Sequence, residues 1–256
     1  MITSLSFKKD FGWSQDKLIF KEGLEIALKP GVNILVGDQG SGKSTLIELL
    51  RARLEPDTSM LNTRMSQGIS PSAARAALDV EGDGVDDLRV LALDFEKDTA
   101  RSPAAFDFSG PIDCVSYLMA GKRASHGDAN KMALNMLLGK TLDEYKASGV
   151  MPPTLILLDE PDAALSIASV MSLHLAIRNL ATLGCQVVVS AHNPFLLGCF
   201  EELFSLEAQK WTSYSDYLSS QVTSRDVPGL AFATHYVPVS NALRGETGKG
   251  EGEKHG

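Results

Sequence analysis

The chain is poor in cysteine, with only Cys114, Cys185 and Cys199 in 256 residues. No CxxC pair and no Cys/His spacing suited to zinc occurs among them, so neither a disulfide framework nor a zinc module is indicated. Cys185 opens an apolar run and reads as a small buried hydrophobe. Long apolar runs are also missing, and none approaches the roughly 18 residues of a membrane span. Met1–Asp10 lacks the basic-then-apolar form of a secretory leader. A reducing cytoplasmic setting without a membrane partner is the expectation. Basic charge is scarce as well, with 24 Lys and Arg against 32 Asp and Glu and a formal net charge of −8. That balance argues against a broad electrostatic grip on nucleic acid, although a local basic patch is compatible with it. Asp79–Gly84 begins like a calcium loop, but its twelfth position is Val90, where the bidentate acid is needed. Asn130-Lys131-Met132-Ala133 lacks the terminal aspartate of a guanine-reading motif. No fixed-period repeat or heptad run is present.

What the sequence does have is an ordinary globular composition, 44% hydrophobic and 22% charged, enough for a sizeable core. Four short apolar runs, Val32–Val36, Val90–Phe95, Thr154–Asp159 and Gln186–Ser190, read as strands buried on both faces. Helical stretches alternate with them. Lys43–Leu54 follows the first run. Ile167–Leu183 precedes the last, with Ile167, Val170, Met171, His174, Ile177, Leu180 and Ala181 recurring on one face. Such alternation predicts an α/β fold with a mostly parallel sheet. Leu5–Phe11 and Leu24–Leu28 are weaker strand candidates, suited to an antiparallel N-terminal flank. Pro56–Ser72 and Asp79–Asp87 read as loops, and Asp143–Pro153 as a connector. Residues 245–256 carry almost no apolar side chains and are expected to be a disordered tail, leaving one domain over residues 1–244.

The strongest chemical pattern follows the first strand: Gly37-Asp38-Gln39-Gly40-Ser41-Gly42-Lys43-Ser44, continued by Thr45 and opening a helix. Glycines let the backbone curl so that successive N–H groups face one anion, and the helix N-terminus adds partial positive charge. In such a P-loop, Lys43 reaches the β- and γ-phosphates and the Ser44 hydroxyl ligates Mg²⁺. A Gly-rich turn that binds nothing is the bland alternative. The strand before the motif and the helix after it weigh against that. The run Thr154–Asp159 ends in Asp159-Glu160-Pro161. Asp159 at the strand tip suits a Mg²⁺ ligand, and Glu160 suits polarising an attacking water. An acidic pair after a strand is commonplace, and it gains meaning here from the phosphate loop.

With these motifs in this order, the chain resembles the ABC-type ATPases over roughly Val32 to Phe200, in particular the heads of SMC- and RecF-like proteins. It is most similar to stand-alone bacterial and phage ATPases that lack the long coiled coil. The resemblance implies a P-loop NTPase fold with a small helical insertion, a signature subregion at about residues 98–150. It makes Asp162-Ala163-Ala164-Leu165-Ser166 the D-loop and His192, at the end of Val187–Ser190, a γ-phosphate sensor. The candidate signature turn is Ala124-Ser125-His126-Gly127-Asp128 before the helical run Ala129–Leu138. There Ser125 and Gly127 would cap the γ-phosphate bound to a partner subunit, while an ordinary helix N-cap is the alternative. His126, Asp128 and Ser166 depart from the usual family residues. No clear Q-loop glutamine follows Val90–Phe95, where Asp94 or Glu96 could stand in its place. Adenine stacking by Phe11, Trp13 or Phe20 is weighed against core packing of each.

The implied activity is Mg²⁺-dependent ATP hydrolysis by a homodimer or ATP-dependent dimer acting as a chemomechanical switch. Glu160, His192 and Lys43 are its catalytic set. An ATPase subunit of a DNA-repair or anti-phage defence complex, with a protein effector as partner, is the first expectation, by resemblance alone. A regulatory ATP-sensing module with little hydrolysis is the alternative. A small-molecule phosphotransferase would leave His192 and the signature turn idle.

Overall fold

The computed structural model describes residues 1–14, 17–54, 69–94 and 145–224, with residues 128, 134–135, 139 and 141–143 between them. The chain opens with β1 (Ile2–Phe7), β2 (Phe11–Ser14), β3 (Lys17–Phe20), β4 (Glu25–Ala27) and β5 (Val32–Val36). Helices α1 (Lys43–Leu54) and α2 (Pro71–Ala77) follow, then β6 (Leu78–Gly82), β7 (Arg89–Asp94) and β8 (Thr154–Asp159). The C-terminal part holds α3 (Ile167–Thr182), β9 (Gln186–Ser190), α4 (Pro194–Leu197), β10 (Glu202–Ser205), β11 (Lys210–Ser213) and α5 (Tyr214–Ser224). Among the described residues no helix is long and apolar enough to cross a membrane.

The central sheet has the order β11-β10-β5-β9-β8-β7. All its neighbours are parallel except the β10–β11 hairpin at one edge. Side chains alternate between faces along a strand, and here both faces are apolar. Ile34, Val36, Ile156, Leu158, Val187 and Val189 point to one layer, where Val170, Leu173, Ile177 and Leu180 of α3 cover them. Leu35, Leu155, Leu157 and Val188 point to the other, against Leu46, Ile47, Leu49 and Leu50 of α1. Each such side chain contributes roughly 1.5–3 kcal/mol when fully buried, which is why these runs carry no alternating polar residues.

A three-stranded antiparallel sheet, β4-β1-β6, packs over the α1 side and adds Ile2, Leu5, Phe7 and Ile26 to that core. It is tied to the central sheet by the buried Gln186. That side chain accepts from the Ile2 N–H at 2.9 Å and donates to the carbonyls of Ile2 at 2.7 Å and Lys29 at 3.0 Å. The expected antiparallel flank is thus present, as is the mostly parallel α/β sheet.

Several sequence expectations change. Asp79–Asp87 is not loop throughout, because residues through Gly82 belong to β6 and pair with β1 from Ile2↔Gly82 to Phe7↔Leu78. Pro56–Ser72 includes the start of α2, where the Ser70 hydroxyl caps the Ala73 N–H at 3.2 Å and Pro71 takes the first turn. Within Asp143–Pro153, residues 145–148 are helical. On α3 the buried face runs through Val170, Leu173, His174, Ile177 and Leu180, while Ile167 is exposed. Ile167 is the first residue after the Ser166 cap, ahead of the buried stripe that begins at Ser169 and Val170. The hairpin β10–β11 and helices α4 and α5 complete the edge beyond β5. The tail at 245–256, Cys114, Glu96 and most of the expected insertion lie outside the described residues.

Candidate functional site

Parallel strands bring their C-terminal ends to one edge of a sheet, and ligand sites form there. β5, β9 and β8 are consecutive neighbours, so the segments following them share that edge. The register aligns Asp94, Asp159 and Ser190 across β7, β8 and β9, with Leu35 of β5 next in the row.

The loop after β5 has the conformation its glycines permit. Gly37, Gly40 and Gly42 all have positive φ, and at Gly42 (φ 98) a Cβ would fall 2.2 Å from Ile19 Cγ2 and 3.1 Å from Phe20 Cζ. The β2–β3 hairpin therefore presses directly on the loop, and only glycine fits between them. Lys43 is buried, and its Nζ donates to the carbonyls of Gly37 and Asp38, each at 2.9 Å, and to Ser41 Oγ at 3.3 Å. Burial lowers the Lys43 pKa, and the negative charges of Glu160 and Asp159 work against that shift. At the loop's shoulder the Asp38 N–H donates to Glu207 Oε1 at 2.8 Å, from the turn after β10.

Asp159 is also buried, and its pKa is pushed up to about 6. Desolvation is the main cause, with further upward contributions from the charges of Asp94 and Glu160. Hydrogen bonds from the hydroxyls of Ser190 and Ser44 oppose the rise. Ser44 and Asp159 thus meet, two oxygen groups of the kind that hold a hard cation. Glu160 leaves the strand with φ 51, and its N–H donates to both the Ser190 carbonyl, at 3.2 Å, and Ser190 Oγ, at 2.9 Å. Its side chain turns towards the end of β9, where Glu160 Oε1 lies 3.2 Å from His192 Nε2. Both side chains are partly exposed, at 31% and 42%, so they are open to water from the same edge.

Asp162 fixes the turn carrying His192. It is buried, and Asp162 Oδ2 accepts from the N–H groups of His192 at 2.9 Å and Asn193 at 2.6 Å. Asn193 in turn caps α4 through the Phe195 N–H at 2.9 Å. The segment after β8 is therefore hydrogen-bonded to the turn after β9 within one chain. Ala164, in the same segment, has φ 58.

The structure thus brings together Gly37–Thr45, Asp159, Glu160 and His192. Ser125 and Gly127 lie outside the described residues. Asp94 stands beside Asp159 in the strand register, as its place at the end of β7 requires. Phe20 is buried and stacks on Phe7 at 4.5 Å, which makes it core. Ser190 and Glu207 gain local roles that no sequence motif marks, and Asp162 an acceptor role that its place in the motif does not specify, because each acts through a hydrogen bond to a residue distant in sequence. The donor set suits a metal-bound polyphosphate. A buried cation faces a glycine loop at a helix N-terminus, and a hydroxyl and a carboxylate beside it could hold the metal.

A family model described as an AAA domain matches residues 17–136. The ribose import ATP-binding protein RbsA 1 of Rhizobium meliloti is 25% identical over 201 residues, covering 75% of this chain and 39% of the relative. The pleiotropic drug resistance protein TUR2 of Spirodela polyrhiza is 26% identical over 214 residues, covering 78% of this chain and 15% of the relative. The chain thus matches well under half the length of either. Among solved structures, cbiO1 from Clostridium perfringens, part of the ABC transporter complex cbiONQ, aligns with 12% identity and a TM-score of 0.46, over 87% of this chain and 92% of the other.

Proposed function

We propose that the chain is an ABC-type ATPase P-loop domain, a reading supported by the AAA-domain match and the ATP-binding relatives, that it binds and hydrolyses Mg-ATP at the C-terminal edge of β5, β8 and β9, and that nucleotide draws two copies together. When bound, Mg-ATP supplies the scissile phosphoanhydride and a Lewis acid at the β- and γ-phosphates. The N–H groups of the loop and the Lys43 ammonium neutralise phosphate charge. Ser44 and Asp159 provide metal ligands. Glu160 orients and polarises the attacking water, and His192 holds the Glu160 carboxylate in place at the γ-phosphate end. Ser125 and Gly127 of a second copy would close the site, which makes turnover slow in an isolated subunit.

The observation carrying this reading is the meeting of Glu160 with His192 at 3.2 Å on the edge where the buried Lys43 and Asp159 also lie. A nucleotide-storage site or an idle glycine turn has no need of that contact. The process driven is proposed to be DNA repair or anti-phage defence, with a protein effector. The names of the curated relatives support a second reading, the ATP-binding part of a transporter, whose membrane-crossing helices would lie outside the described residues. A regulatory sensor that barely hydrolyses is the third.

Sizing the purified protein with and without Mg-ATP, in wild type and Glu160→Gln, tests the proposal. A hydrolytic switch gives a transient dimer in wild type and a persistent one in the variant. A sensor behaves alike in both, and a protein that stays monomeric throughout contradicts the shared-nucleotide account.

A further inference from the structure

Two acids with different tasks must be set relative to each other in this site, and one buried hydroxyl touches both. Ser190 is fully buried at the end of β9, directly opposite Asp159 in the strand register. We propose that Ser190 is a positioning residue that fixes the metal-holding and water-polarising acids together: its Oγ donates to Asp159 Oδ1 and accepts the Glu160 N–H at 2.9 Å. The inference rests on the ATPase reading of the same site.

Three features make the hydroxyl more than a filler. First, a serine hydroxyl has one proton and two lone pairs, so donating to a carboxylate leaves a lone pair for the next residue's N–H, and both contacts are made at once. Second, Glu160 sits in the left-handed region at φ 51, which is unfavourable for a residue with a Cβ and needs outside support. On the N–H side that support comes from Ser190, whose carbonyl and hydroxyl share the Glu160 N–H. Third, Asp159 has two hydroxyl donors from different elements, Ser44 on α1 and Ser190 on β9. Without Ser190, the buried carboxylate is tethered by α1 alone and can turn away from the orientation the metal requires. The chain direction through Asp159-Glu160 then loses its reference to the neighbouring strand.

The test is Ser190→Ala, with Ser190→Thr as the variant that keeps the hydroxyl. A fluorescent ATP analogue is titrated in EDTA and again across a Mg²⁺ series, and turnover is measured over the same series. Ser190→Ala is expected to leave metal-free nucleotide binding within about twofold, because the P-loop is untouched. It raises the Mg²⁺ concentration for half-maximal binding about 5–30-fold, the scale of one lost hydrogen bond to a charged group, and lowers kcat about tenfold or more. Ser190→Thr returns both to within about threefold. If thermal melting shows that the added methyl unfolds the strand, Ser190→Ala decides alone. A Ser190→Ala protein with the wild-type Mg²⁺ dependence overturns the inference. So does one whose metal-free and metal-dependent binding weaken equally, since that is general damage. Failure of the ATPase reading looks different: wild-type protein itself would not bind the analogue, or would bind it without regard to Mg²⁺.

Discussion

Glu160 Oε1 and His192 Nε2 lie 3.2 Å apart, although the whole of α3 lies between them in the chain. The contact exists because β8 and β9 are parallel neighbours, with Asp159 opposite Ser190, so the residues just beyond each strand emerge together. Removing the Glu160 charge as Glu160→Gln is expected to lower ATP turnover about 10²–10⁴-fold, the usual scale of a positioned general base, with nucleotide affinity preserved. His192→Ala should also lower kcat. The double variant should be little worse than Glu160→Gln alone, because both act through one contact. Steady-state kinetics on the four proteins check this.

Lys43 is a buried cation whose hydrogen-bond partners are neutral oxygens of its own loop. Lys43→Ala should therefore abolish the stabilisation given by nucleotide while leaving the fold intact. Thermal melting with and without Mg-ATP reads this directly: wild type gains several degrees at saturating ligand, and the variant gains none.

Asp159 makes the metal-free protein pH-sensitive. Its folded pKa of about 6 lies above the ordinary aspartate value of 3.8, so between these values the folded state binds more protons than the unfolded one. Stability contributed by this group is full below the lower value and is lost as pH rises through about 6. At full effect the loss is on the order of 3 kcal/mol. Asp159→Asn is expected to flatten that part of the stability profile and to stabilise the metal-free protein at pH 8, while removing Mg²⁺-dependent binding. Urea unfolding at pH 4.5, 6 and 8 in EDTA makes the comparison.

Asp162 supports the His192 turn through two charge-assisted hydrogen bonds from backbone N–H groups. Asp162→Ala leaves both donors without that acceptor and should destabilise the fold by about 2–4 kcal/mol. Asp162→Asn keeps an acceptor oxygen and should cost markedly less. Denaturant midpoints separate the two, and equal losses would contradict the hydrogen-bond account.

The central sheet and most of the site were legible in the sequence because their causes are local. Val32–Val36, Thr154–Asp159 and Gln186–Ser190 are mostly apolar runs with their polar residues at or near the ends, as suits strands covered on both faces. Glycines followed by Lys43 and Ser44 announce their conformation without help from the rest of the chain. β6 was not legible, since Leu78–Gly82 carries Asp79, Glu81 and a glycine, and becomes a strand only by pairing with β1 at the other end of the domain. The start of α2 had a readable cap in Ser70-Pro71 that the loop-like residues before it obscured. On α3, spacing alone could not tell whether the buried stripe began at Ile167 or was centred on Leu173, because burial depends on what packs against each turn of the helix. Ser190, Glu207 and the acceptor role of Asp162 were invisible for a different reason. A serine ending a strand or an acid in a turn takes its meaning from whatever the topology puts beside it.

The account is tested most directly by single-turnover hydrolysis, with excess protein mixed with radiolabelled Mg-ATP in wild type and Glu160→Gln. It predicts that wild type converts the bound nucleotide to ADP and phosphate while the variant retains it as intact ATP over the same period. A Glu160→Gln protein that cleaves bound ATP at the wild-type rate would contradict it.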